Sequence, residues 1–292
     1  MSLSRRTLLA GAAGGVVALG TGGVLVNKGV LPGRVPAYRL LGLDGEDAPI
    51  PHVTPGARHD GAFASQARGG TTTGWSLSVP PSHEPAGLPL VVCLHGAGAD
   101  HTTAFDTMGV DRFLAQAVAA GVPPFVIASV DGGPASYWHP RTDGTDASAM
   151  VMDELVPMLR ERFALRSGLG LYGWSMGGYG ALRLAVRRPG IAAVAACSPA
   201  LFASYGDTSP GSFDDRRQFD EEDLVRLAPR FGGVPLRIDC GKGDPFYFRV
   251  REFVDRLTPR PSGGFEAGGH TYGYMRRMLP AQLAFLGRQL AG

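Results

Sequence analysis

The sequence predicts an α/β fold in which a mostly parallel central sheet carries helices on both faces. Short, continuous apolar runs alternate with segments of helical period, and a strand that is buried on both faces is apolar throughout. The strand-like runs lie at 89–96, 124–133, 169–174, 191–199 and 235–241, and residues 75–80 alternate between apolar and polar. The helical segments lie at 108–120, 147–163, 176–187, 246–257 and 275–290. This alternation predicts βαβ units and a ligand site at the carboxyl ends of the strands.

The chain is long enough for this architecture and carries no sign of nucleic-acid binding. Its 292 residues suit one large α/β domain or two small ones. Charged residues make up 18%, and the formal net charge of +2 comes without a basic stripe of the kind that binds nucleic acid. The cysteines Cys93, Cys197 and Cys240 fall in or beside apolar runs and match no metal-binding spacing, so we expect buried thiols.

Three segments are predicted along the chain. Residues 1–30 carry Arg5 and Arg6 ahead of the uncharged stretch 7–26, which is typical of a twin-arginine export signal, with a membrane anchor as the alternative. Residues 31–74, rich in Pro, Gly, Thr and Asp, predict a linker and irregular segment, and residues 75–292 predict the α/β domain. We therefore expect an extracytoplasmic protein, either released or tethered to the membrane.

The alternation of strands and helices is interrupted once inside the predicted domain. Residues 200–232 are polar and charged, and we expect them to form a small cap at the sheet. An acidic cluster within this segment, at 214, 215 and 220–223, is expected to face solvent.

A G-x-S-x-G pattern lies at 173–177, where a predicted strand ends and a predicted helix begins. In a chain with 43 glycines the pattern alone is weak, but this junction is the setting of a nucleophile elbow. Such a sharp turn forces Ser175 into a sparsely allowed backbone region and leaves no room for side chains at Gly173 and Gly177. The sequence therefore predicts Ser175 as an exposed nucleophile and the N–H of Met176 as an oxyanion donor.

The order of residues in a chain with such an elbow selects the partners of the serine. The order is serine, acid, histidine, and His270 alone among the seven histidines follows Ser175. The acid must lie between them on a loop after a strand, where the candidates are Asp239 and Asp244. Asp239 lies within an apolar run, whereas Asp244 follows it in a glycine-rich loop and precedes a proline, as at a helix start. We predict Asp244 as the acid and keep Asp239 in reserve.

The loops after the first two buried runs supply candidate oxyanion and substrate contacts. Residues 95–98 are similar to an HGGG-type loop, whose backbone N–H groups bind the oxyanion. We place the second donor at Ala97, with Gly96 or Gly98 as alternatives, and expect His95 to order the loop. Substrate contacts are predicted at His95, Gly96, Tyr137, Trp138 and Trp174. Tyr137 and Trp138 are placed at the pocket rim, although ordinary packing would explain them equally well.

Four strings of residues resemble a known branch of the α/β-hydrolases. They are LHGAGAD, GWSMGGYGALRLA, GKGDPF and GGHTY, and the resemblance covers roughly residues 75–290. The branch includes esterase D (S-formylglutathione hydrolase) and the mycobacterial mycolyltransferases. The resemblance implies the α/β-hydrolase fold, a triad of Ser175, Asp244 and His270, and an oxyanion hole at Ala97 and Met176. The chain departs from cytosolic esterase D in its N-terminal signal, and from the mycolyltransferases in having aspartate where they have glutamate.

Together these features predict an exported serine esterase that hydrolyses carboxylic esters through an acyl-enzyme on Ser175. We expect a small-molecule or lipid ester as substrate, and no metal, cofactor or nucleic-acid partner. One alternative is an acyltransferase with the same triad, because transfer differs from hydrolysis only in how water is excluded. The other alternative is a catalytically inactive hydrolase fold that binds at the cell envelope.

Overall fold

A central sheet organises the part of the chain that the computed structural model describes, residues 34–291. Within those residues the sheet has eight strands in the order β1-β2-β4-β3-β5-β6-β7-β8. β2 is antiparallel to both of its neighbours, and the other pairs are parallel. The strands are β1 Arg58–Ser65, β2 Thr71–Ser78, β3 Leu90–Leu94, β4 Val126–Val130, β5 Leu169–Trp174, β6 Ala193–Cys197, β7 Leu236–Asp239 and β8 Ser262–Gly264. The mostly parallel sheet confirms the predicted fold class.

Helices cover both faces of this sheet. They are α1 Arg34–Leu40, α2 Thr103–Asp106, α3 Val110–Ala119, α4 Ala147–Ala149, α5 Val156–Phe163, α6 Met176–Arg187, α7 Arg216–Glu221, α8 Leu224–Leu227, α9 Tyr247–Arg256 and α10 Tyr272–Leu290. A π-helical segment, Met150–Leu155, joins α4 to α5. The predicted helical segments therefore match α3, the run from α4 to α5, and α6, α9 and α10 to within a few residues.

The core lies in two layers, one on each face of the sheet. In β3, Val92 and Leu94 join a cluster with residues of α5, α6 and α9. Their neighbours Val91 and Cys93 join a second cluster with residues of α3 and α10. Successive side chains of a strand point to opposite faces, so a strand between two helical layers has to be apolar at every position. For this reason the continuous apolar runs in the sequence correctly predicted the positions of the central strands.

The structure differs from the sequence prediction over residues 31–74, where an irregular segment was expected. α1, β1 and the first residues of β2 lie in this range. β1 is an edge strand whose side chains alternate between exposed and half-buried, with Arg58 and Asp60 paired at 3.0 Å. An edge strand is apolar on one side at most, so it gives no continuous apolar run. The division of the chain into three segments stays a prediction, and residues 1–30 lie outside the described residues.

The segment between β6 and β7 holds α7 and α8 and packs its apolar side chains into the first core cluster. The expectation that its acidic residues face solvent is wrong for Glu222 and Asp223. Glu222 pairs with Arg183 of α6 at 2.8 Å, and Asp223 pairs with Arg249 of α9 at 2.6 Å. Both carboxylates are largely buried, which is tolerable because each has a guanidinium partner. These ion pairs fasten the segment to the helices that follow β5 and β7.

All three cysteines are buried, as predicted, and none forms a disulfide. Burial raises the pKa of the Cys93 and Cys197 thiols. Within residues 34–291, no helix combines the length and the apolar character that crossing a bilayer requires.

Candidate active site

Ser175 lies in a strained turn between β5 and α6. Its backbone has φ 54° and ψ −120°, a combination that non-glycine residues rarely adopt and that costs about 1–3 kcal/mol. Hydrogen bonds fix the turn: the N–H of Ser175 donates to the carbonyl of Cys197, and the N–H of Ala200 donates to the carbonyl of Ser175, both at 3.0 Å. The next strand and its loop therefore hold the serine in this conformation.

Two glycines make the turn sterically feasible. A Cβ at Gly173 would overlap the carbonyl group of Gly177. A Cβ at Gly177 would overlap the carbonyl oxygen of Leu94, at the end of β3. Backbone atoms cannot move aside as a flexible side chain can, so both positions require glycine. The sequence prediction that these two residues have to be glycine is confirmed.

The structure brings His270 and Asp244 to the serine. Nε2 of His270 lies 2.9 Å from Oγ of Ser175, and Nδ1 lies 2.7 Å from Oδ2 of Asp244. Asp244 is fully buried, and its other carboxylate oxygen accepts a hydrogen bond from the N–H of Phe246 at 2.8 Å. Since a carboxylate can only accept, Nδ1 carries the proton and Nε2 is left to accept the serine proton.

Asp239, the reserve acid, lies outside this arrangement. It ends β7, is 2% exposed, and pairs with Arg237 at 2.9 Å. Its Oδ2 also accepts a hydrogen bond from Nε2 of Gln282 in α10 at 2.8 Å. Burial raises the pKa of Asp239. The loop after β7 therefore supplies the residue that faces His270, and the strand itself supplies a structural ion pair.

The two candidate oxyanion donors lie on either side of the serine. Met176 is the first residue of α6, so its N–H has no acceptor within the helix. Ala97 lies in the loop after β3 and, like Ser175, lines the cavity described below. The two residues after Ala97 have acceptors: the N–H of Gly98 donates to the carbonyl of Pro134, and that of Ala99 donates to the carbonyl of Gly96. Among the described residues no protein acceptor is found for the Ala97 amide.

His95 is buried beneath this loop, hydrogen-bonds to it, and does not line the cavity. The ring is fully buried, and burial lowers the pKa of the imidazole. Nε2 accepts a hydrogen bond from the N–H of Gly132 at 3.0 Å, so Nδ1 carries the proton and donates to the carbonyl of Gly96 at 2.8 Å. That bond fixes the peptide unit just before Ala97. Its position supports the ordering role and not the predicted substrate contact.

A cavity of about 360 Å³ opens beside the serine. Its lining residues are Gly96, Ala97, Trp174, Ser175, His270, Tyr272 and Met275. Gly96 and Trp174 were predicted substrate contacts and do line it. Tyr272 and Met275 were missed, although they follow His270 by two and five residues in the first turns of α10. The spacing from the histidine could have located them.

The placement of Tyr137 and Trp138 at the pocket rim is a prediction that the structure contradicts. Trp138 is fully buried and fits so closely against Gly132 and Gly180 that a Cβ at either would overlap its ring. Its Nε1 donates to the carbonyl of His95 at 3.4 Å. Tyr137 is 3% exposed and packs on Tyr179, Phe202 and Phe213. Both aromatics support the loops of the site, because the turn at 131–139 directs them inward.

Two acidic residues far away in the sequence also support the site. The carboxylate of Asp44 lies against Gly243 and Gly269, the neighbours of Asp244 and His270. Asp47 accepts a hydrogen bond from Oγ1 of Thr271 at 3.0 Å. Sequence reasoning placed both in an irregular segment, and no local pattern distinguishes them.

Within residues 34–291, no group of three or more His, Cys, Asp or Glu side chains is arranged to hold a metal ion.

Comparisons with known proteins agree with this geometry. Residues 67–286 match the family model described as "Putative esterase". A solved ferulic acid esterase is similar over 81% of this chain and 100% of its own, with 20% identity and a TM-score of 0.70. An S-formylglutathione hydrolase from Agrobacterium tumefaciens is similar over 84% and 100%, with 18% identity and a TM-score of 0.65. A ferulic acid esterase from Anaeromyces mucronatus is similar over 82% and 96%, with 16% identity and a TM-score of 0.64.

These structural likenesses establish the α/β-hydrolase fold, and the family match spans most of the chain. The resemblance that the four sequence strings suggested is therefore confirmed. The chain belongs to this esterase family, and carboxylic-ester hydrolysis is the activity that its membership supports.

Proposed function

We propose that the protein is a serine esterase in which Ser175 attacks the carbonyl carbon of a carboxylic ester. One observation carries the proposal: a continuous line of hydrogen bonds runs from Ser175 through His270 to the buried Asp244. A serine hydroxyl is a weak nucleophile unless a base accepts its proton. In the proposed first step, Nε2 of His270 takes that proton while Oγ bonds to the ester carbon.

Asp244 acts on the imidazole and not on the substrate. Its carboxylate holds the Nδ1–H tautomer, so that Nε2 faces Ser175, and it stabilises the imidazolium that forms. The carboxylate is itself fixed by the N–H of Phe246. Each member of the line is therefore oriented by the next before any substrate binds.

The negative charge that develops on the ester oxygen requires donors near Ser175. The N–H groups of Ala97 and Met176 lie at the two loops that flank the serine and are proposed to bind this oxyanion. His95 and Trp138 hold the Ala97 loop in place. When the tetrahedral intermediate collapses, His270 returns the proton to the leaving alcohol, and the acyl group stays on Ser175.

Water is proposed to complete the reaction by hydrolysing the acyl-enzyme. His270, which would activate that water, has a side chain that is 27% exposed at the edge of the cavity. An acyltransferase has to protect its acyl-enzyme from water, so this accessibility favours hydrolysis over the predicted alternative of acyl transfer. Nothing in the site calls for a cofactor in this sequence of steps.

A fluorophosphonate probe tests the proposal directly, because it reacts with an activated serine and not with an inert one. We expect one equivalent of probe on the full chain, located by mass spectrometry on the peptide that contains Ser175. Ser175→Ala should abolish labelling. Ser198→Ala is the control, because Ser198 also has a positive φ, of 46°, but unlike Ser175 it is fully buried and has no histidine partner in the structure. Labelling of the inactive variant, or none in the native chain, would refute the proposed nucleophile.

We further propose that the protein is exported. Support comes from Arg5 and Arg6 followed by the uncharged residues 7–26. Replacing both arginines with lysine should leave the protein in the cytoplasm, as measured by cell fractionation and immunoblotting. Unchanged export of this variant would contradict the twin-arginine route.

A further inference from the structure

Three leucines near the start of the described chain are exposed to solvent. Leu40, Leu41 and Leu43 are 87%, 68% and 48% exposed, and the other exposed large hydrophobic side chain among residues 36–291 is Tyr272, at 38%. A single exposed leucine is ordinary at a protein surface, but three within four residues concentrate exposed apolar surface at one short stretch of the chain. We call Leu40, Leu41 and Leu43 the leucine patch. Such a patch indicates a surface that is covered in use.

The leucine patch is attached to the loops of the active site. The residue after it, Asp44, contacts Gly269, which precedes His270. Further on, the N–H of Ala48 donates to the carbonyl of Gly273 at 3.1 Å, in the first turn of α10. Arg276 of the same helix donates back to the carbonyl of Ala48 at 3.1 Å. The patch is therefore fixed on the side of the molecule where the cavity opens.

Tyr272 is a further exposed apolar side chain, and it lines the cavity itself. It lies two residues after His270, is partly exposed, and lines the cavity beside Ser175. Asp47, four residues after Leu43, contacts the neighbouring Thr271. A flat apolar surface that met the leucine patch would therefore face the mouth of the active site.

The charge of the surrounding sequence indicates what that surface is. Residues 27–43 contain Lys28, Arg34 and Arg39 and no acidic residue, and Arg39 is exposed directly beside the leucines. Lys242, next to the loop that Asp44 contacts, is also exposed. The acidic residues of the segment follow the leucines, at 44, 46 and 47. Leucine together with arginine and lysine suits a bilayer with anionic headgroups.

The spacing along the sequence would bring the patch to a membrane if the N-terminal segment is bound there. The uncharged stretch 7–26 ends eight residues before Arg34. A chain of eight residues spans at most about 28 Å when fully extended. An N-terminal segment held at or in a bilayer would therefore keep α1 close to the headgroups, and stable attachment generally needs two such signals.

We propose that the leucine patch docks the protein on an anionic lipid surface, with the cavity mouth facing that surface. This inference rests on the proposed function in one respect: ester substrates held in the bilayer would reach Ser175 directly. Soluble esters would enter the cavity without docking. Comparing the hydrolysis of bilayer esters with that of soluble esters therefore distinguishes a loss of docking from a loss of catalysis.

Depth measurements on the full chain test the docking. The three native cysteines are buried, so a cysteine placed at an exposed position can be labelled selectively. We would label Leu41→Cys with an environment-sensitive fluorophore and add vesicles of phosphatidylcholine and phosphatidylglycerol whose acyl chains carry a nitroxide quencher. The matched control is Glu161→Cys, which is exposed near the end of α5. This helix leads into the start of β5, whereas Ser175 follows the end of that strand. We expect quenching at 41 and none at 161. No quenching at 41, or equal quenching at both positions, would overturn the proposal.

Activity measurements separate this proposal from the proposed function. The variant Leu40→Ser/Leu41→Ser/Leu43→Ser should hydrolyse a long-chain ester embedded in the same vesicles at least about tenfold more slowly than the native chain. Its rate with p-nitrophenyl acetate should be unchanged. An equal loss of activity toward the vesicle ester and p-nitrophenyl acetate would mean that the leucine patch stabilises the fold and does not dock the protein. A native chain that hydrolyses neither ester would refute the esterase function, while the quenching result would still decide the docking.

Two other possible occupants of the leucine patch would give different results in these experiments. A second copy of the chain would show as a dimer in analytical ultracentrifugation that the triple variant abolishes. If residues 7–26 of the same chain cover the patch, the label at position 41 should show no quenching by the vesicles. Either result would overturn the assignment to lipid.

Discussion

Replacing Ser175 with alanine is expected to lower the kcat/KM for p-nitrophenyl acetate by about 10⁶-fold, which corresponds to about 8 kcal/mol of transition-state stabilisation. The reason is that His270 and Asp244 act only through the serine oxygen: with that atom gone, the 2.9 Å contact to Nε2 has no nucleophile to activate. The proposed oxyanion donors would remain, so the residual rate should still exceed the rate in water. Steady-state hydrolysis with a spectrophotometric ester measures the loss.

A second substitution at the same position separates catalysis from folding. Ser175→Gly should lose the same activity but should raise the melting temperature, because glycine adopts a positive φ without the strain that serine stores there. The gain is at most about 1–3 kcal/mol. Retained activity in Ser175→Ala, with native circular dichroism, would end the proposed mechanism. A lower melting temperature in Ser175→Gly would contradict the strain at the turn.

Replacing Asp244 with asparagine should lower kcat/KM by about 10⁴-fold. An amide can donate to Nδ1, which would stabilise the tautomer with the proton on Nε2. In that tautomer Nε2, which faces Ser175, has no free lone pair and cannot accept the proton of the serine hydroxyl. The loss should appear in kcat rather than in KM, because Asp244 is fully buried and does not line the cavity.

Asp239→Asn is the matched control for this substitution. Asp239 is also buried, lies five residues earlier and pairs with Arg237, but it does not contact His270. We expect kcat/KM to change little, while stability in urea falls by about 3 kcal/mol because the ion pair is broken. The opposite outcome, with Asp239→Asn inactive and Asp244→Asn active, would reverse the assignment of the acid.

The central strands and the longer helices could be predicted because each carries a local signal of burial. A strand between two helical layers is apolar at every position, and a helix on one face of a sheet has an apolar stripe. β1 and β8 lie at the edges of the sheet and carry neither signal: β1 is mostly exposed, and β8 consists of serine and two glycines. They could be recognised only from the strands with which they pair.

The three candidate catalytic residues could be predicted for a different reason: their order along the chain is constrained. Once the turn at Ser175 was identified, His270 was the remaining choice, and Asp244 followed from its position after a strand. The supporting residues obey no such rule. Trp138 was placed at the rim because it follows a strand, but the turn at 131–139 directs its ring between Gly132 and Gly180. Asp44 and Asp47 lie more than 190 residues before the loops that they contact.

The sequence by itself determined the central strands and the longer helices, the glycines of the turn at Ser175, and the candidates for the serine, the acid and the histidine. Each of these follows from burial along the chain or from backbone geometry within a few residues. The tertiary structure alone decided that the imidazole reaches the hydroxyl, that Tyr137 and Trp138 point inward, and that Asp44 contacts the loops of the site. The physical reason is that such contacts depend on how distant segments pack, and no local run of residues encodes the direction in which a loop turns.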